Sequence, residues 1–373
     1  MEQDNNYQIN VSWQQKAATW LQSVKNELLI DKIFYTYCFI STAVIYLCSL
    51  YLDFPIDYSF TTYLETLMQA LYVTGLSWCI YYYFYLILRK EKQPAKPKRF
   101  IRKLKHLIFP LHRPVSVFVS MMALNLIFSN HTFLKSLIPI INPFKWDLTF
   151  ANIDTLLHFG VAPWELTHAL FSNAWSSLAL NVAYNAWFFC MWGILIFFLI
   201  YKKYPLVRQQ FLLTFALSWM ILGVFFATLL SSAGPCYVEL ITGDEQFAPL
   251  MKTLEAQSQY LTNVDAGQLW ALPTQQYLWD EYIANANGIG SGISAMPSLH
   301  VSIAVLMALS IYRLNKTIGY FAYAFVVIIQ IGSVHLAWHY AIDGYLATLL
   351  TVMLWKIVGW ALRRYASYPE RRE

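Results

Sequence analysis

The stretch ALNVAYNAWFFCMWGILIFFLI, residues 179–200, contains no lysine, arginine, aspartate or glutamate. A second run, FLLTFALSWMILGVFFATLLS at residues 211–231, has the same character. Each run is as long as the ~20 apolar residues that a helix needs to cross a bilayer. Outward from this pair, similar runs recur, and the full set lies at residues 33–52, 63–88, 114–130, 179–200, 211–231, 298–314, 318–338 and 343–362. The sequence therefore predicts an all-α integral membrane protein with about eight transmembrane helices.

The composition points the same way. Of the 373 residues, 58% are apolar and 13% are charged, whereas a soluble domain has roughly 25% charged residues. This balance excludes a disordered chain, a disulfide scaffold and most soluble enzymes. Four of the five cysteines lie in apolar runs, so we expect no disulfide framework.

The positions of the lysines and arginines predict the topology. With a cytoplasmic N-terminus, 23 of the 26 lie in inner segments or at inner span ends, and the exceptions are Lys135, Lys145 and Lys252. The outer loop 232–297 holds seven acidic residues and one basic residue. Because cytoplasmic loops carry an excess of positive charge, we expect both termini to be cytoplasmic.

Two of the inner segments are distinctive, one for its helical spacing of apolar residues and one for its basic residues. Trp13–Leu29 has apolar residues at helical spacing, and it either lies flat on the inner membrane surface or packs against the end of the bundle. Residues 89–113 hold ten basic residues. We interpret them as a topology determinant and linker, with binding of anionic headgroups as the alternative.

Two segments place histidine and other polar residues where predicted outer loops meet spans. They are SGISAMPSLHVS at residues 291–302 and SVHLAWHYAIDGYL at residues 333–346. The predicted topology brings His300, His339 and Asp343 to the same membrane face. We therefore expect an extracytoplasmic active site.

The spacing within the second segment is typical of an activated histidine. His339 and Asp343 are four residues apart and would share one helical face. A carboxylate in that position accepts a hydrogen bond from one ring nitrogen, which fixes the tautomer and raises the nucleophilicity of the other nitrogen. With His300 as a proton donor, the set suits phosphoryl transfer through a phosphohistidine.

The residues before His300 favour the binding of an anion. Pro297 suits a helix start, because its missing N–H would be unpaired there anyway. Ser294 and Ser298 can place hydroxyl groups near the helix N-terminus. The unpaired N–H groups and the helix dipole favour negative charge at that point.

Both segments resemble motifs of the type-2 phosphatidic acid phosphatase superfamily of membrane phosphoryl-transfer enzymes. Residues 297–300, P-S-L-H, match the family's P-S-G-H except for one leucine. His339 and Asp343 match the end of the family's S-R-x5-H-x3-D, but Ser333 stands in place of the arginine. The family's K-x6-RP is missing from its expected place, residues 231–237, which contain no lysine or arginine.

The missing arginine resembles the inositol phosphorylceramide synthase branch and its bacterial relatives, which transfer a phospho-headgroup between lipids. The stretch DTLLHFG at residues 154–160, followed by Pro163, Trp164 and His168, also resembles bacterial members of that branch. The similarity covers roughly residues 146–362.

The resemblance implies that His339 attacks phosphorus, Asp343 holds His339, and His300 protonates the leaving group. It also implies chemistry that needs no metal or other cofactor. Without a cationic cradle in the motifs, the phosphate oxygens would be held by neutral donors or by groups elsewhere in the chain. A neutral cradle fits a phosphodiester better than a phosphomonoester. The candidate substrate-binding residues are Ser294, Pro297, Ser298, Gly234, Tyr237, Ser333 and His335.

Other histidines leave alternatives open. His335, His339 and Asp343 form a stripe at four-residue spacing that could bind a metal, although we favour a cavity-lining or packing role for His335. His158 and His168 could touch substrate, and we favour structural roles for both.

We expect a membrane-embedded lipid phosphotransferase. The alternatives are a lipid phosphate phosphatase of the phosphatidic acid or polyprenyl phosphate type and, outside the enzymes, a transporter or scaffold. The expected partners are a lipid substrate and the bilayer, with no nucleic acid, and the oligomeric state stays open.

The chain is expected to divide at residue 113. Residues 1–113 would form an N-terminal amphipathic segment, two spans and a basic loop. Residues 114–373 would form a catalytic membrane domain with a six-helix core and outer loops at 131–178 and 232–297.

Overall fold

The computed structural model describes residues 13–52, 58–88, 96–284, 290 and 292–365. Part of the basic segment 89–113 and most of the C-terminal inner segment 363–373 lie outside the described residues, as does Ser291.

Within the described residues the chain forms helices and loops, without a β-strand. It also forms a π-helical turn at Ile221–Phe226 and a 3-10 turn at Pro235–Tyr237. The α-helices are α1 Trp13–Ile30, α2 Lys32–Tyr51, α3 Leu64–Leu88, α4 Lys96–Ile108, α5 His112–Ser136, α6 Ile138–Ile141, α7 Asp147–Leu157, α8 Pro163–Leu170, α9 Ala174–Ile200, α10 Pro205–Met220, α11 Ala227–Leu229, α12 Val238–Thr242, α13 Ala248–Asn263, α14 Ala271–Ile283, α15 Leu299–Leu314, α16 Lys316–His335 and α17 Ala341–Tyr365.

Seven helical segments among the described residues are long and apolar enough to cross a membrane. They are Lys32–Tyr51, Leu64–Leu88, His112–Ile141, Ala174–Ile200, Pro205–Leu229, Lys316–His335 and Ala341–Tyr365. An eighth helix, Leu299–Leu314, is apolar but shorter. The prediction of an all-α membrane protein with about eight spans is confirmed.

The third span continues well past its predicted end at residue 130. The hydropathy falls there because Asn130, His131 and Thr132 are polar, but all three are buried. Asn130 accepts a hydrogen bond of 2.6 Å from the Tyr58 hydroxyl, and Thr132 pairs with the Tyr63 hydroxyl at 2.7 Å. Because Asn130 and Thr132 find partners inside the protein, the helix continues past these polar residues to Ser136.

Helix α15 lies at the centre of the bundle and packs against α9, α10, α16 and α17. Nine of its residues are buried, among them Ser302, Ala304 and Ala308. The small side chains allow neighbouring helices to approach closely, and the Ser302 hydroxyl lies 2.7 Å from that of Thr351 in α17. Helix α15 is therefore enclosed by its neighbours along most of its length.

A buried ion pair connects α10 with Asp31, the residue that joins α1 to α2. Arg208 donates two hydrogen bonds to Asp31, one of them at 2.9 Å from Nη2 to Oδ2. Both side chains are almost fully buried. Arg208 also donates to the Phe198 carbonyl at 2.6 Å, so its charge and its donors are satisfied inside the protein.

Helix α1, in the N-terminal segment, contacts the bundle near its end. Near its end, Glu27 pairs with Lys202 and lies 3.7 Å from His112, which fastens this part to the bundle. Its beginning extends away, and Trp13 is 87% exposed.

Candidate active site

His300, His339 and Asp343 come together at one end of the bundle. His300 lies in the first turn of α15 and Asp343 in the first turn of α17. The two helix starts are joined by a hydrogen bond of 3.2 Å from the Ser298 N–H to the Asp343 carbonyl. The rings of His300 and His339 have centroids 6.4 Å apart.

The imidazole of His339 is held by Asp343. Its Nδ1 donates to Asp343 Oδ2 at 3.1 Å, and the same oxygen accepts the Tyr340 N–H at 3.0 Å. Because an ionised carboxylate only accepts hydrogen bonds, Nδ1 carries the ring proton and Nε2 keeps its lone pair. Nε2 is therefore the nitrogen free for reaction.

His339 does not share a helix with Asp343, contrary to the expectation from spacing. Helix α16 ends at His335 and α17 begins at Ala341. Between them Ala337 adopts φ +61°, and the bend places His339 in a short loop before α17. The pair still forms, since the loop folds back over the first turn of α17, where Asp343 lies.

The ring of His300 lies among aromatic side chains. The rings of Trp187 and Tyr184 lie 4.3 and 4.7 Å from it, and that of Phe188 lies 5.6 Å away, centroid to centroid. The Trp187 indole also donates to the His300 carbonyl at 2.9 Å. Nε2 of His300 is buried and has no hydrogen-bond partner in the described part of the protein.

A cavity of about 360 Å³ opens beside both histidines. Most of its wall is aromatic or aliphatic, with a polar group of residues at the histidine end. The apolar wall includes Phe128, Trp187, Phe188, Met191, Trp192, Trp219 and Leu299, and the polar group includes His131, Lys135, Tyr237, Ser294, His300 and His339. We call this space the apolar cavity.

A smaller space of about 250 Å³ lies against another side of His339. Its lining includes Asp154, Glu165 and Gln246, so its character is more polar. His339 is the residue that lines both spaces. We call the second space the polar cavity.

Helix α7 supplies two buried carboxylates that support the His339 loop. Asp154 accepts the N–H groups of Ala341 at 2.7 Å and of Ile342 at 3.0 Å. Asp147 accepts the Tyr340 hydroxyl at 2.9 Å and the N–H of Gly234 at 2.8 Å. The three residues that follow His339 are therefore anchored to one helix.

Burial and neighbouring carboxylates keep the loop groups neutral. Burial and the adjacent Asp147 carboxylate raise the pKa of the Tyr340 phenol, which stays protonated and donates. Burial raises the pKa of the Cys236 thiol and of the Tyr237 phenol. It also raises the pKa of Asp154, against the opposing effect of the two N–H groups that this carboxylate accepts.

The sequence model of the PAP2 superfamily, the type-2 phosphatidic acid phosphatases, matches residues 148–357. This match spans more than half of the chain.

The chain belongs to the PAP2 superfamily.

Membership makes it a membrane enzyme of the phosphatase or phosphotransferase type. No curated protein and no solved structure matches the chain significantly. The PAP2 match includes His300, His339 and Asp343, and of the two carboxylates of α7 it includes Asp154.

The predicted residues around the PAP2 P-S-x-H segment divide into two groups. Ser294 and Pro297 line the apolar cavity. Ser298 is fully buried and caps α15, where its hydroxyl accepts the Val301 N–H at 3.4 Å. Pro297 lies just before this cap rather than in the first turn of the helix.

Residues 234–237 do not offer the free N–H groups that a neutral phosphate cradle would need. The N–H of Gly234 is bound to Asp147, that of Cys236 to the Ala337 carbonyl at 3.1 Å, and that of Tyr237 to the Gly234 carbonyl at 3.0 Å. Gly234 has φ +101°, and an added Cβ would lie 2.6 Å from the Trp338 carbonyl oxygen. This turn therefore packs tightly under the His339 loop.

Ser333 and His335 lie outside the lining of both cavities. The Ser333 hydroxyl donates to the Gln330 carbonyl at 2.8 Å, and its carbonyl accepts the His339 N–H at 3.1 Å. His335 Nε2 lies 2.8 Å from the Ser177 hydroxyl. Both residues therefore support the PAP2 site from outside the two cavities.

The two other histidines that sequence analysis raised have protein partners. His158 lies 3.0 Å from the Tyr345 hydroxyl, and His168 stacks on His335 with ring centroids 3.8 Å apart. Among the described residues, no group of three or more His, Cys, Asp or Glu side chains is placed to hold a metal ion.

Sequence reasoning missed Asp147, Asp154 and Lys135. Asp147 and Asp154 are seven residues apart in α7, hence on one helical face, and this spacing of two acids in an apolar helix was a usable signal. The charge pattern singles out Lys135 with Lys145 and Lys252, but no motif connects it with His339. Only the packing of α5 shows that it lines the apolar cavity.

Proposed function

We propose that the protein is a lipid phosphotransferase that moves a phospho-headgroup through a phosphohistidine on His339. The observation that carries the proposal is the arrangement of Asp343, His339 and His300 beside the apolar cavity. Asp343 sets the tautomer of His339, and His300 offers a second imidazole at a ring separation of 6.4 Å. This arrangement supports a mechanism in which a nucleophile and a proton carrier act on one substrate space.

The reaction runs in two balanced steps. In the first, Nε2 of His339 attacks phosphorus, a P–N bond forms, and the P–O bond to the lipid alcohol breaks. His300 gives its proton to the departing alkoxide. In the second step an acceptor hydroxyl attacks phosphorus, the P–N bond breaks, and His300 takes the proton of that hydroxyl.

The walls of the apolar cavity favour a lipid both as the donor in the first step and as the acceptor in the second. Aromatic and aliphatic side chains cover most of its surface, and pockets of this kind bind apolar groups with a few polar residues fixing the orientation. The branch resemblance further suggests a phosphodiester donor such as phosphatidylinositol with a lipid alcohol as acceptor. A diester carries one negative charge, in keeping with the missing lysine and arginines of the family motifs.

The proposed topology follows from the charges. With both termini in the cytoplasm, the end of the bundle that carries His300 and His339 faces the extracytoplasmic side. Residues 114–373 would then form the catalytic membrane domain, preceded by the two spans and basic loop of residues 1–113.

A phosphatase reaction is the second candidate. In it, water replaces the acceptor alcohol in the second step. The polar cavity favours this candidate, because its acidic and amide side chains reach the surroundings of His339 and can hold water there.

The test is a trapping experiment with lipids labelled in the phosphate. Purified protein in detergent is mixed briefly with labelled phosphatidylinositol or phosphatidic acid, denatured in alkali and examined for acid-labile label on the protein. We expect labelling of the unmodified protein and of His106→Ala, whose side chain is exposed on α4, and none of His339→Ala. Added ceramide or diacylglycerol should then take up the phosphoinositol group.

The outcome separates the candidates. Transfer of the headgroup to a lipid alcohol supports the phosphotransferase. Release of inorganic phosphate from phosphatidic acid, with no headgroup transfer, would replace it by the phosphatase. Equal labelling of His339→Ala and the unmodified protein would overturn the phosphohistidine in either case.

A further inference from the structure

The apolar cavity contains a cation that the family motifs do not supply. Lys135 lies in the last turn of α5 and lines this cavity together with His300 and His339. Of the described residues around the cavity, it is the only lysine or arginine. It also precedes residues 148–357, the part of the chain that matches the PAP2 superfamily.

The loop before α15 packs directly on Lys135. A Cβ added to Gly292 would lie 3.1 Å from Lys135 Cγ and 3.2 Å from its carbonyl carbon. Gly292 also has φ +84°, a conformation that side chains rarely adopt. The glycine thus allows the loop to cover the stem of Lys135, while the side chain remains part of the cavity wall.

The ammonium group has no neutralising partner in the described part of the protein. No carboxylate forms an ion pair with Lys135, and no hydrogen bond to its side chain is present there. His131 lies one helical turn earlier in α5 and lines the same cavity. A cation in an apolar cavity is costly unless an anion pairs with it.

We propose that Lys135 binds a phosphate oxygen of the lipid substrate in the apolar cavity. The inference rests on the proposed function, because it assigns the anion-binding group of the same site. A single ammonium is a compact point charge and matches the single negative charge of a phosphodiester. It would hold the phosphate between His300 and His339 and offset the charge that builds up on its oxygens.

The other two outer lysines do not compete for this role. Lys145 and Lys252 are exposed, and neither lines the apolar or the polar cavity. Lys145 therefore provides a matched control, since it is an outer lysine whose loss removes the same charge without touching the cavity.

The experiment measures lipid binding in His339→Ala, which lacks the proposed nucleophile and cannot turn substrate over. Dioctanoyl phosphatidylinositol, dioctanoylglycerol and inorganic phosphate are each titrated into the protein in detergent. Binding is followed by tryptophan fluorescence, and the cavity is lined by Trp187, Trp192, Trp219, Trp270 and Trp338. Lys135→Met, Lys135→Arg and Lys145→Met are compared in this background, with thermal midpoints as the folding check.

We expect Lys135→Met to weaken binding of phosphatidylinositol about ten- to a hundredfold, the range for loss of a hydrogen bond to a charged group. Binding of dioctanoylglycerol should stay the same, because it has no phosphate. Lys135→Arg should keep most of the affinity, and Lys145→Met all of it. Inorganic phosphate should compete with phosphatidylinositol only where residue 135 is cationic.

Two results would overturn the inference. One is unchanged phosphatidylinositol binding in Lys135→Met. The other is an equal loss for phosphatidylinositol and dioctanoylglycerol, which would make Lys135 a determinant of cavity shape. Failure of the trapping experiment with Lys135-dependent binding intact would instead remove the phosphotransferase and keep the phosphate site.

Discussion

Asp154 accepts the N–H of Ala341 at a distance of 2.7 Å. The acceptor belongs to a helix outside the spans and the donor begins the span that carries Asp343. With the second bond to Ile342, this carboxylate caps α17 two residues after His339. The position of His339 thus depends on a residue 185 positions earlier in the chain.

Replacement of Asp154 tests this dependence. Asp154→Ala leaves two helix-start N–H groups without their acceptor and should lower the free energy of unfolding by about 1–2 kcal/mol, the usual effect of losing a cap. It should also lower kcat, since the His339 loop loses its anchor. Thermal midpoint and headgroup transfer are measured together, with Glu255→Ala on the exposed side of α13 as the control. Unchanged kcat in Asp154→Ala would contradict the anchoring role.

Asp343→Asn should separate orientation from binding. The amide keeps the size of the side chain but can present its NH2 group to Nδ1 of His339, which favours the wrong tautomer. We expect kcat to fall by about 10²- to 10⁴-fold, with little change in KM. The rate of phosphohistidine labelling after rapid mixing reports this step. A lowered lipid affinity at an unchanged labelling rate would show that Asp343 acts on binding instead.

Gly234→Ala should disturb the His339 loop through contact. The new Cβ would meet the Trp338 carbonyl oxygen at 2.6 Å, and the strain should cost about 1–3 kcal/mol of unfolding free energy and lower activity. Gly267→Ala is the matched control, because Gly267 has a similar φ of +94° but open space around it. If both variants lose activity equally, the contact with Trp338 is not the cause.

His168 should make stability fall in mild acid. Burial lowers its pKa in the folded protein, while the unfolded chain has an ordinary value of about 6.5. Its neutral form therefore stabilises the fold above about pH 6.5, and this contribution is lost as the pH falls below that value. Thermal midpoints between pH 8 and 5 should fall less steeply in His168→Gln. A slope that is unchanged by the substitution would rule out His168 as a source of the acid sensitivity.

The buried pair of Arg208 and Asp31 should show strong non-additivity. Arg208→Met leaves a buried carboxylate without its partner and should cost about 3–5 kcal/mol of unfolding free energy. Adding Asp31→Leu should restore much of that loss, because the double variant buries no charge. Lys203→Met, at an exposed neighbouring position, should have little effect. The prediction fails if the costs of the two single substitutions simply add in a double-mutant cycle.

The sequence was sufficient for the spans and for three residues that the structure brings together at one end of the bundle. Hydropathy located the apolar helices because a bilayer demands a fixed length of apolar chain. The P-S-L-H and H-x3-D motifs identified His300, His339 and Asp343, and the charge distribution put them at one end of the bundle. These signals are local, so no tertiary contact was needed to read them.

The remaining parts of the site depend on tertiary packing. Lys135 and Asp147 reach the site from separate helices, and nothing in their own neighbourhood shows what they face. Ser333 stands where the family has a phosphate-binding arginine, but its hydroxyl donates to the Gln330 carbonyl of its own helix. His335 follows the same helix and turns toward Ser177. Spacing located these residues along the chain, but not the direction in which α16 points them.

His339 separates the apolar cavity from the polar cavity. Under the proposed function, the two halves of a cleaved phospholipid prefer different solvents: the diacylglycerol suits the aromatic walls, and the sugar-like headgroup suits the acids and amides on the other side. With the imidazole at the boundary, the diacylglycerol and the headgroup would separate into the two cavities while His339 still holds the phosphorus. The diacylglycerol would then leave into the bilayer, while the phospho-headgroup stays bound to His339 until an acceptor alcohol arrives.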